Sequence, residues 1–416
     1  MRVLTVLPAV PVPATTGLQL RMLEVLQIVR ALGCHSTVLA FETETSDAGV
    51  EPLHTYCDDA IAGGHRIPYA EFSVGDRVRQ RLEFLTNAAF RRPGQVYPFS
   101  VRYDRMGARQ VVADAIAQTK PDSVILPSFL AHYAVAAEPA GCGVIIDAAD
   151  VHTDLTRAFL REYGARNPVK IPGLLANYLA ARSQEHLFLS RVDEIWCTSE
   201  PEAVRFASIS GHRRVIVIPN AIPVASVRPT PVVDEPIVGF IGTFDYTPNL
   251  DAVEVLVDEV LPVLRTLVPD VQVRLAGAGT LVAIEQRLRA TPNVEVLGRV
   301  VDANAFVAGC RVMAIPVRLR GGVPLKLIEA MAAARPVVTT SEMVSGLGFR
   351  DGCEVLIADS APAIARAVSG LLSDQEFASR IAASARRTFE REFSTEAVVA
   401  RLLASDTRVL KRRADR

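Results

Sequence analysis

The sequence predicts an α/β protein made of two doubly wound parallel-sheet domains in tandem, and three observations predict it. Short β-branched runs alternate with helical patterns almost from end to end. The runs are close to continuously apolar, as strands covered by helices on both faces must be. Five prolines, Pro219, Pro223, Pro229, Pro231 and Pro236, crowd one segment near the middle. Proline at that density stiffens a linker and forbids a central strand. The chain of 416 residues also exceeds the roughly 100–200 that one core organises. In such sheets ligands sit beyond the carboxyl ends of the strands, and two facing sheets leave a cleft.

The elements follow in order. In the first half, residues 3–7, 124–126, 143–147, 194–198 and 215–218 read as buried strands. After the first of them, Leu18, Met22, Val25, Val29 and Leu32 keep the rhythm of one buried helical stripe. Residues 219–236 read as a structureless linker. A fresh strand–helix series then opens, with strands expected at 237–241, 271–276, 294–297, 311–316, 336–339 and 354–357. The expected division is 1–220 for the first domain, 221–395 for the second, and 396–416 for a closing helical segment.

Composition narrows the function. Half the residues are apolar and 22% are charged, far from the composition of a disordered chain. The 45 Lys and Arg against 46 Asp and Glu leave a net charge of −1, which argues against a dedicated nucleic-acid binder. The six cysteines, Cys34, Cys57, Cys142, Cys197, Cys310 and Cys353, show no C-x-x-C spacing and read as scattered thiols. The first residues offer only a short apolar run cut by Pro8, Pro11 and Pro13, too little for a signal peptide. No uncharged apolar run reaches a membrane span of about 18 residues. A cytoplasmic chain is expected.

The most informative stretch is 318–332, which follows an expected strand and opens a helix. Gly321 and Gly322 let backbone approach a ligand closely, and Pro324 suits a first helical turn. Free amides at a helix start make an anion site. Lys326 and Glu329 share one face, and Leu327, Ile328 and Met331 cover the buried one. A cation beside such a loop suits a diphosphate, and a carboxylate one turn deeper suits ribose hydroxyls. The same residues also make an ordinary Gly-rich turn with a surface Lys–Glu pair. A second stretch, 239–251, is a strand end and helix opening in which Gly242 and Thr243 offer amides and Asn249 a helix cap. No G-x-G-x-x-G follows the first strand and no G-x-x-x-x-G-K-[ST] occurs, so dinucleotide and Walker-type phosphate loops lack support.

Taken together, Gly-Phe-Ile-Gly-Thr (239–243), Leu-Ala-Gly-Ala-Gly (275–279), Leu-Gly-Arg-Val (297–300), Pro-Leu-Lys-Leu-Ile-Glu-Ala-Met-Ala (324–332) and Pro-Val-Val-Thr-Thr (336–340) resemble the family-4 (group 1) retaining glycosyltransferases of the GT-B fold. Lys-Pro-Asp (120–122), Thr-Ser-Glu (198–200) and Ile-Pro-Asn-Ala (218–221) agree in the first half. The resemblance implies two Rossmann-like domains facing across a cleft, with a nucleotide-diphosphate sugar bound by the second and a hydroxyl acceptor by the first. Glu329 matches the family's second motif Glu, expected on the ribose, while Gly321 stands where the first Glu would be. Backbone at Gly321, Gly322 and Val323 would hold the sugar or its phosphate. Thr243 replaces the usual Arg, and Asn249 lies near the usual Lys. Lys326 then becomes the diphosphate cation, helped by Arg318 or Arg320, and Arg299 and Val300 fall where the base is read.

In the first half Asp150 fits the family's acidic partner, Ala149 replaces its usual His, and His152 follows three positions on. His152 reads either as a contact to donor or acceptor or as a solvated loop histidine. Asp147, Asp150 and Asp154 suggest a metal cluster by type, but the family implies no catalytic metal and no cofactor beyond the donor. A solvated loop or a helix cap accounts for them. Gly17, ending a Pro-rich loop, is a close-approach contact. The resemblance implies a front-face reaction in which the leaving diphosphate helps deprotonate the acceptor. Eight Arg between Arg77 and Arg109 face only Glu83 and Asp104, and the segment from Arg408 on is basic. Those charges suit either a solvated face or a peripheral contact with anionic membranes. Two other classes stay open: a nucleotide-sugar epimerase of the same fold and a non-catalytic nucleotide-sugar-binding partner.

Overall fold

The computed structural model describes residues 1–14, 16–41, 49–64, 107–166, 168–211, 214–277, 279, 282–318 and 324–405. The chain divides into two compact units, Met1–Pro219 joined by the chain from Val399 on, and Asn220–Val398. Each is a parallel sheet with helices.

The first unit contains β1 (Arg2–Leu7), β2 (His35–Ala40), β3 (Asp59–Ala62), β4 (Ser123–Pro127), β5 (Gly143–Ala148), β6 (Glu194–Cys197) and β7 (Arg214–Val217), in the order β3-β2-β1-β4-β5-β6-β7. Its helices include α1 (Gly17–Ala31), α2 (Ala108–Thr119), α3 (His152–Arg166), α4 (Ile171–Leu189) and α5 (Glu200–Ser210). The strand order reverses between β1 and β4, and Val3–Thr5 of the central β1 pair in parallel with β2 on one side and β4 on the other. Two strands, β2 and β3, lie outside the sequence-based expectation. β2 opens His-Ser-Thr and β3 reads Asp-Ala-Ile-Ala, so neither shows a long β-branched run.

Helix α1 starts where the chain can cap it. Thr16 accepts from the Gln19 amide at 3.3 Å, and the Gln19 side chain returns to the Thr16 amide at 3.1 Å. That capping box closes two free amides at once. The expected stripe is corrected at its ends: Met22, Val25 and Val29 are buried, Leu18 is exposed, and Leu32 lies beyond the helix. The same helix buries Arg21 and Glu24. The Arg21 guanidinium meets Asp147, at the end of β5, at 2.8 Å, and Glu24 at 3.0 Å. Asp147 is therefore a buried ion-pair partner rather than a solvated loop residue, because a guanidinium inside the unit must be matched.

The second unit contains β8 (Ile237–Ile241), β9 (Gln272–Ala276), β10 (Val294–Gly298), β11 (Val312–Ile315), β12 (Val337–Thr339) and β13 (Leu356–Ile357), in the order β10-β9-β8-β11-β12-β13. The reversal here falls between β8 and β11. Helix α6 (Thr247–Glu254) follows β8, α7 (Leu325–Ala332) follows β11, and α8 (Thr395–Ala404) is the last described helix. The remainder of the closing helical segment expected over 396–416 lies outside the described residues. Leu327, Ile328 and Met331 of α7 are completely buried against Phe240, Met313 and their neighbours. At roughly 1.5–3 kcal/mol for each fully buried large apolar side chain, that face fixes how α7 is rotated.

The proline-rich segment is not a structureless spacer. Arg335, completely buried, donates to the Thr230 carbonyl at 2.9 Å, the Pro231 carbonyl at 2.9 Å and the Ala308 carbonyl at 2.8 Å. Proline has no N–H to build a backbone ladder in this segment, and the five-donor guanidinium supplies its carbonyls with partners instead. Val227 is buried in the same core, and its carbonyl accepts from Arg386 at 3.0 Å. Among the described residues no helix is long and apolar enough to cross a membrane.

Candidate functional site

In a parallel sheet every strand ends on the same edge, and the reversal between β8 and β11 opens that edge beneath the start of two helices. Gly242 follows β8 there, Gly277 follows β9, and α7 begins after β11. Two glycines make the approach possible. A Cβ at Gly242 would stand 2.8 Å from Asn249 Nδ2 and 3.1 Å from Lys326 Nζ. Gly277 takes φ +156°, and a Cβ on it would stand 2.9 Å from Phe244 Cζ.

Into this space α7 sends Lys326 from its first turn. The amine Nζ donates to Asn249 Oδ1 and lies 4.6 Å from the centroid of the Phe240 ring, within cation–π reach. The Asn249 Nδ2 donates in turn to the Thr243 carbonyl at 2.9 Å. Burial lowers the proton affinity of Lys326 to about pH 7, opposed by the negative charge of Glu329. Burial likewise raises Glu329, opposed by Lys326. The pair is a partly desolvated cation and carboxylate, one turn apart, at the carboxyl edge of the sheet. Such a cation is suited to an anionic ligand brought into that edge.

The expected site residues fall as follows. Lys326, Gly242 and Thr243 come together through Asn249, and Glu329 acts on Lys326 by its charge. Two details are corrected. Gly242 does not offer its amide, which donates to the Ala276 carbonyl at 3.0 Å; it contributes only room. Asn249 does not cap α6, whose N-cap is Tyr246. It lies inside the first turn, buried, with its side chain turned back to the strand end. Pro324 is the N-cap of α7, one position before the helix. Arg318 is engaged by Asp251 of α6, Nε to Oδ2 at 2.9 Å. Arg299 is exposed just past β10, and Val300 packs on the core. Arg320, Gly321, Gly322 and Val323 lie outside the described residues.

In the first unit, His152 is not a loop residue but the first residue of α3, partly buried, with Nε2 3.1 Å from Ser128 Oγ. Burial lowers its ring to about pH 4, so it is neutral at pH 7. Sequence reasoning missed Glu185 of α4, which accepts from the amides of His152 at 2.7 Å and Thr153 at 3.1 Å and so caps α3. Burial raises Glu185 to about 7. No local pattern announces a cap delivered from another helix. Asp150 is partly buried in the turn before α3, and Asp154 pairs with Arg205 at 2.7 Å. Among the described residues no three His, Cys, Asp or Glu are placed to hold a metal. Gly17 is an exposed first residue of α1 rather than part of the loop.

The two groups give a signed pH prediction. The folded chain holds the Glu185 proton above the unfolded value of 4.5, so this group removes stability as pH rises from about 4.5 to about 7. His152 does the opposite between about 4 and 6.5, where only the unfolded ring is protonated. The contributions oppose each other in the wild-type chain. In Glu185→Gln the histidine term stands alone, and the stability difference, wild type minus variant, falls between pH 5 and 7. Urea unfolding followed by the single tryptophan, Trp196 of β6, measures it.

Comparison with known proteins matches residues 235–374 to the family model of the group 1 glycosyl transferases. The matched residues lie wholly within the second unit. Solved structures agree with that unit and extend the likeness over the chain. Sucrose-phosphate synthase from Thermosynechococcus elongatus is 15% identical, with TM-score 0.70 over 97% of this chain and 98% of the other. HepE from Anabaena, solved with UDP-glucose, is 14% identical, with TM-score 0.63 over 97% and 100%. TarM of S. aureus, solved with fondaparinux, α-GlcNAc-glycerol and UDP, is 10% identical, with TM-score 0.69 over 97% and 99%. At these identities the structures establish the fold, GT-B, for both parallel-sheet units of the chain. No curated protein matches the chain.

Proposed function

We propose that the chain is a retaining hexosyltransferase that moves a sugar from a nucleoside-diphosphate donor to a hydroxyl of a polysaccharide, lipid or small molecule. The observation behind this reading is the Lys326 amine, held beside Gly242 at the strand reversal of the unit that matches the group 1 glycosyltransferases. The donor diphosphate sits at the carboxyl edge of the second sheet against Lys326. Glu329 accepts from the ribose hydroxyls, and the segment around Gly321, Gly322 and Val323 holds the sugar phosphate. Arg299 and Val300 take the base. The first unit serves the acceptor, with His152 and Asp150 on its side and Gly17 as a donor- or acceptor-side contact.

As the glycosidic bond breaks, negative charge grows on the departing diphosphate. A preorganised cation lowers the barrier by stabilising that charge more in the transition state than in the ground state. The same diphosphate takes the acceptor proton, so no resident cofactor is needed. A panel of nucleotide sugars screened by thermal shift, followed by NMR of the product anomer, tests the reading. Transfer with the donor's anomeric configuration kept is the expected result. Inversion, donor epimerisation or donor binding without transfer overturns it, the last two in favour of an epimerase and a non-catalytic partner.

For the acceptor we infer a peripheral contact with anionic membranes. The residues first read for it, between Arg77 and Arg109 and from Arg408 on, lie almost wholly outside the described residues. A different feature supports it. Ile171, Leu175 and Leu179 are exposed four residues apart on α4, and Val169 just before it is 89% exposed. Lys170 and Arg182 stand at the two ends of that stripe, with Arg157 and Arg161 exposed on α3. Apolar contact with a cationic margin fits an anionic bilayer, at roughly 1 kcal/mol per basic residue near its surface. Co-sedimentation with vesicles containing phosphatidylglycerol, lost in the double variant Leu175→Glu, Leu179→Glu and absent with neutral lipid, is expected. Equal behaviour of variant and wild type refutes the contact.

A further inference from the structure

Four residues of the chain are lysine, Lys120, Lys170, Lys326 and Lys411; the rest of its 45 basic residues are arginine. The distinction matters at position 326. A buried guanidinium stays charged, whereas a buried amine can give up its proton. What holds the amine is therefore part of its chemistry. Asn249 meets it with a carboxamide whose orientation is fixed from both ends. Oδ1 accepts from Lys326 Nζ, and Nδ2 donates to the Thr243 carbonyl at 2.9 Å. Turned over, the amide would set donor against donor and oxygen against oxygen. The absence of a side chain at Gly242 lets the two groups meet there. An aspartate would fit the same space and keep the amine protonated whether or not a ligand is bound, its charge already balanced.

Among the described residues the charged groups around the amine are few. Glu329, on its own helix, is the one that acts on it. On α6 Asp251 is engaged by Arg318, from the segment after β11. β8 presents only the Phe240 ring. We propose that Asn249 is the positioning residue of the donor site, holding the Lys326 amine through a neutral hydrogen bond so that its positive charge is completed by the bound diphosphate, with a proton taken from solvent. This rests on the donor-site reading above and adds to it a residue and a charge change.

The test uses the full chain with ¹³C at lysine Cε. Four lysine signals are expected, and Lys326→Arg removes and so assigns one. In the free wild-type chain the Lys326 signal titrates near neutral pH, and UDP, GDP or pyrophosphate moves its midpoint up by at least one pH unit. In Asn249→Asp the midpoint is already up by at least one unit without nucleotide and moves little on adding it. Asn249→Ser, too short to hold the amine in place, loses about tenfold in UDP affinity at pH 7 with the other lysine signals unchanged, a factor of ten being about 1.4 kcal/mol. A free-chain midpoint unmoved by Asn249→Asp, or UDP affinity unchanged in Asn249→Ser, overturns the positioning role. Failure of all three phosphate ligands to move the wild-type midpoint overturns the donor-site reading and the charge completion with it.

Discussion

Replacing Lys326 by alanine is expected to lower kcat/KM for sugar transfer by about 10²–10³, the usual cost of removing one preorganised group aimed at developing charge. Stability is expected to change by less than about 1 kcal/mol, because the packing lost from the stem on Phe240 is offset by removal of a buried charge. The sign follows from the amine's surroundings. Folded, it releases its proton near pH 7; unfolded, it holds it to about 10.5. The unfolded chain thus binds more protons between those values, and the burden of the buried charge is full below pH 7 and fades as pH rises toward 10.5. Removing the amine lifts that burden, so Lys326→Met, which keeps the stem packed on Phe240, is expected to be neutral or stabilising at pH 7. The kinetic loss is expected in kcat as well as KM, because the charge it meets is larger in the transition state. A folded Lys326→Met chain with unchanged kcat/KM removes Lys326 from the machinery.

How far the sequence anticipates this site depends on where each constraint resides. The central strands were legible because a sheet covered on both faces needs continuous apolar runs, and residues 237–241 meet that need without a break. β2 and β3 were not, since His35, Ser36 and Asp59 interrupt the pattern while neighbouring strands bury or pair them. Lys326 and Glu329 were legible as a pair because three residues on a helix share a face. Asn249 was seen as a helix cap because its neighbours, Thr247 and Pro248, form a helix opening. Its actual role depends on a lysine 77 residues away. Glu185, 33 residues from the amide it caps, and Arg335, 104 from the proline it holds, belong to the same class. Local periodicity reports which face is buried. It does not report which polar group will arrive there.

The largest effect on stability is expected at the buried pair of the first unit. Arg21 is 2% exposed, with Asp147 at 2.8 Å, Glu24 at 3.0 Å and the Pro219 carbonyl at 3.4 Å. Asp147→Ala takes one of two carboxylates from a guanidinium whose hold on its proton both raise despite the burial, and leaves its Nε and Nη2 without their acceptor, with Glu24 still on Nη1. The guanidinium cannot neutralise itself as a lysine could, so the expected loss is about 3–5 kcal/mol and nearly independent of pH between 5 and 9. Arg21→Met differs in kind. It leaves the carboxyls of Asp147 and Glu24 buried without their cation, and these can take up protons. The folded state then binds more protons than the unfolded, so the deficit of Arg21→Met relative to wild type is small at pH 5 and grows toward pH 8. Trp196 is directly opposite Asp147 in the β5–β6 register and completely buried, so urea unfolding followed by its fluorescence reads the first unit itself. Parallel pH profiles for the two variants would show that the pair contributes packing rather than matched charge.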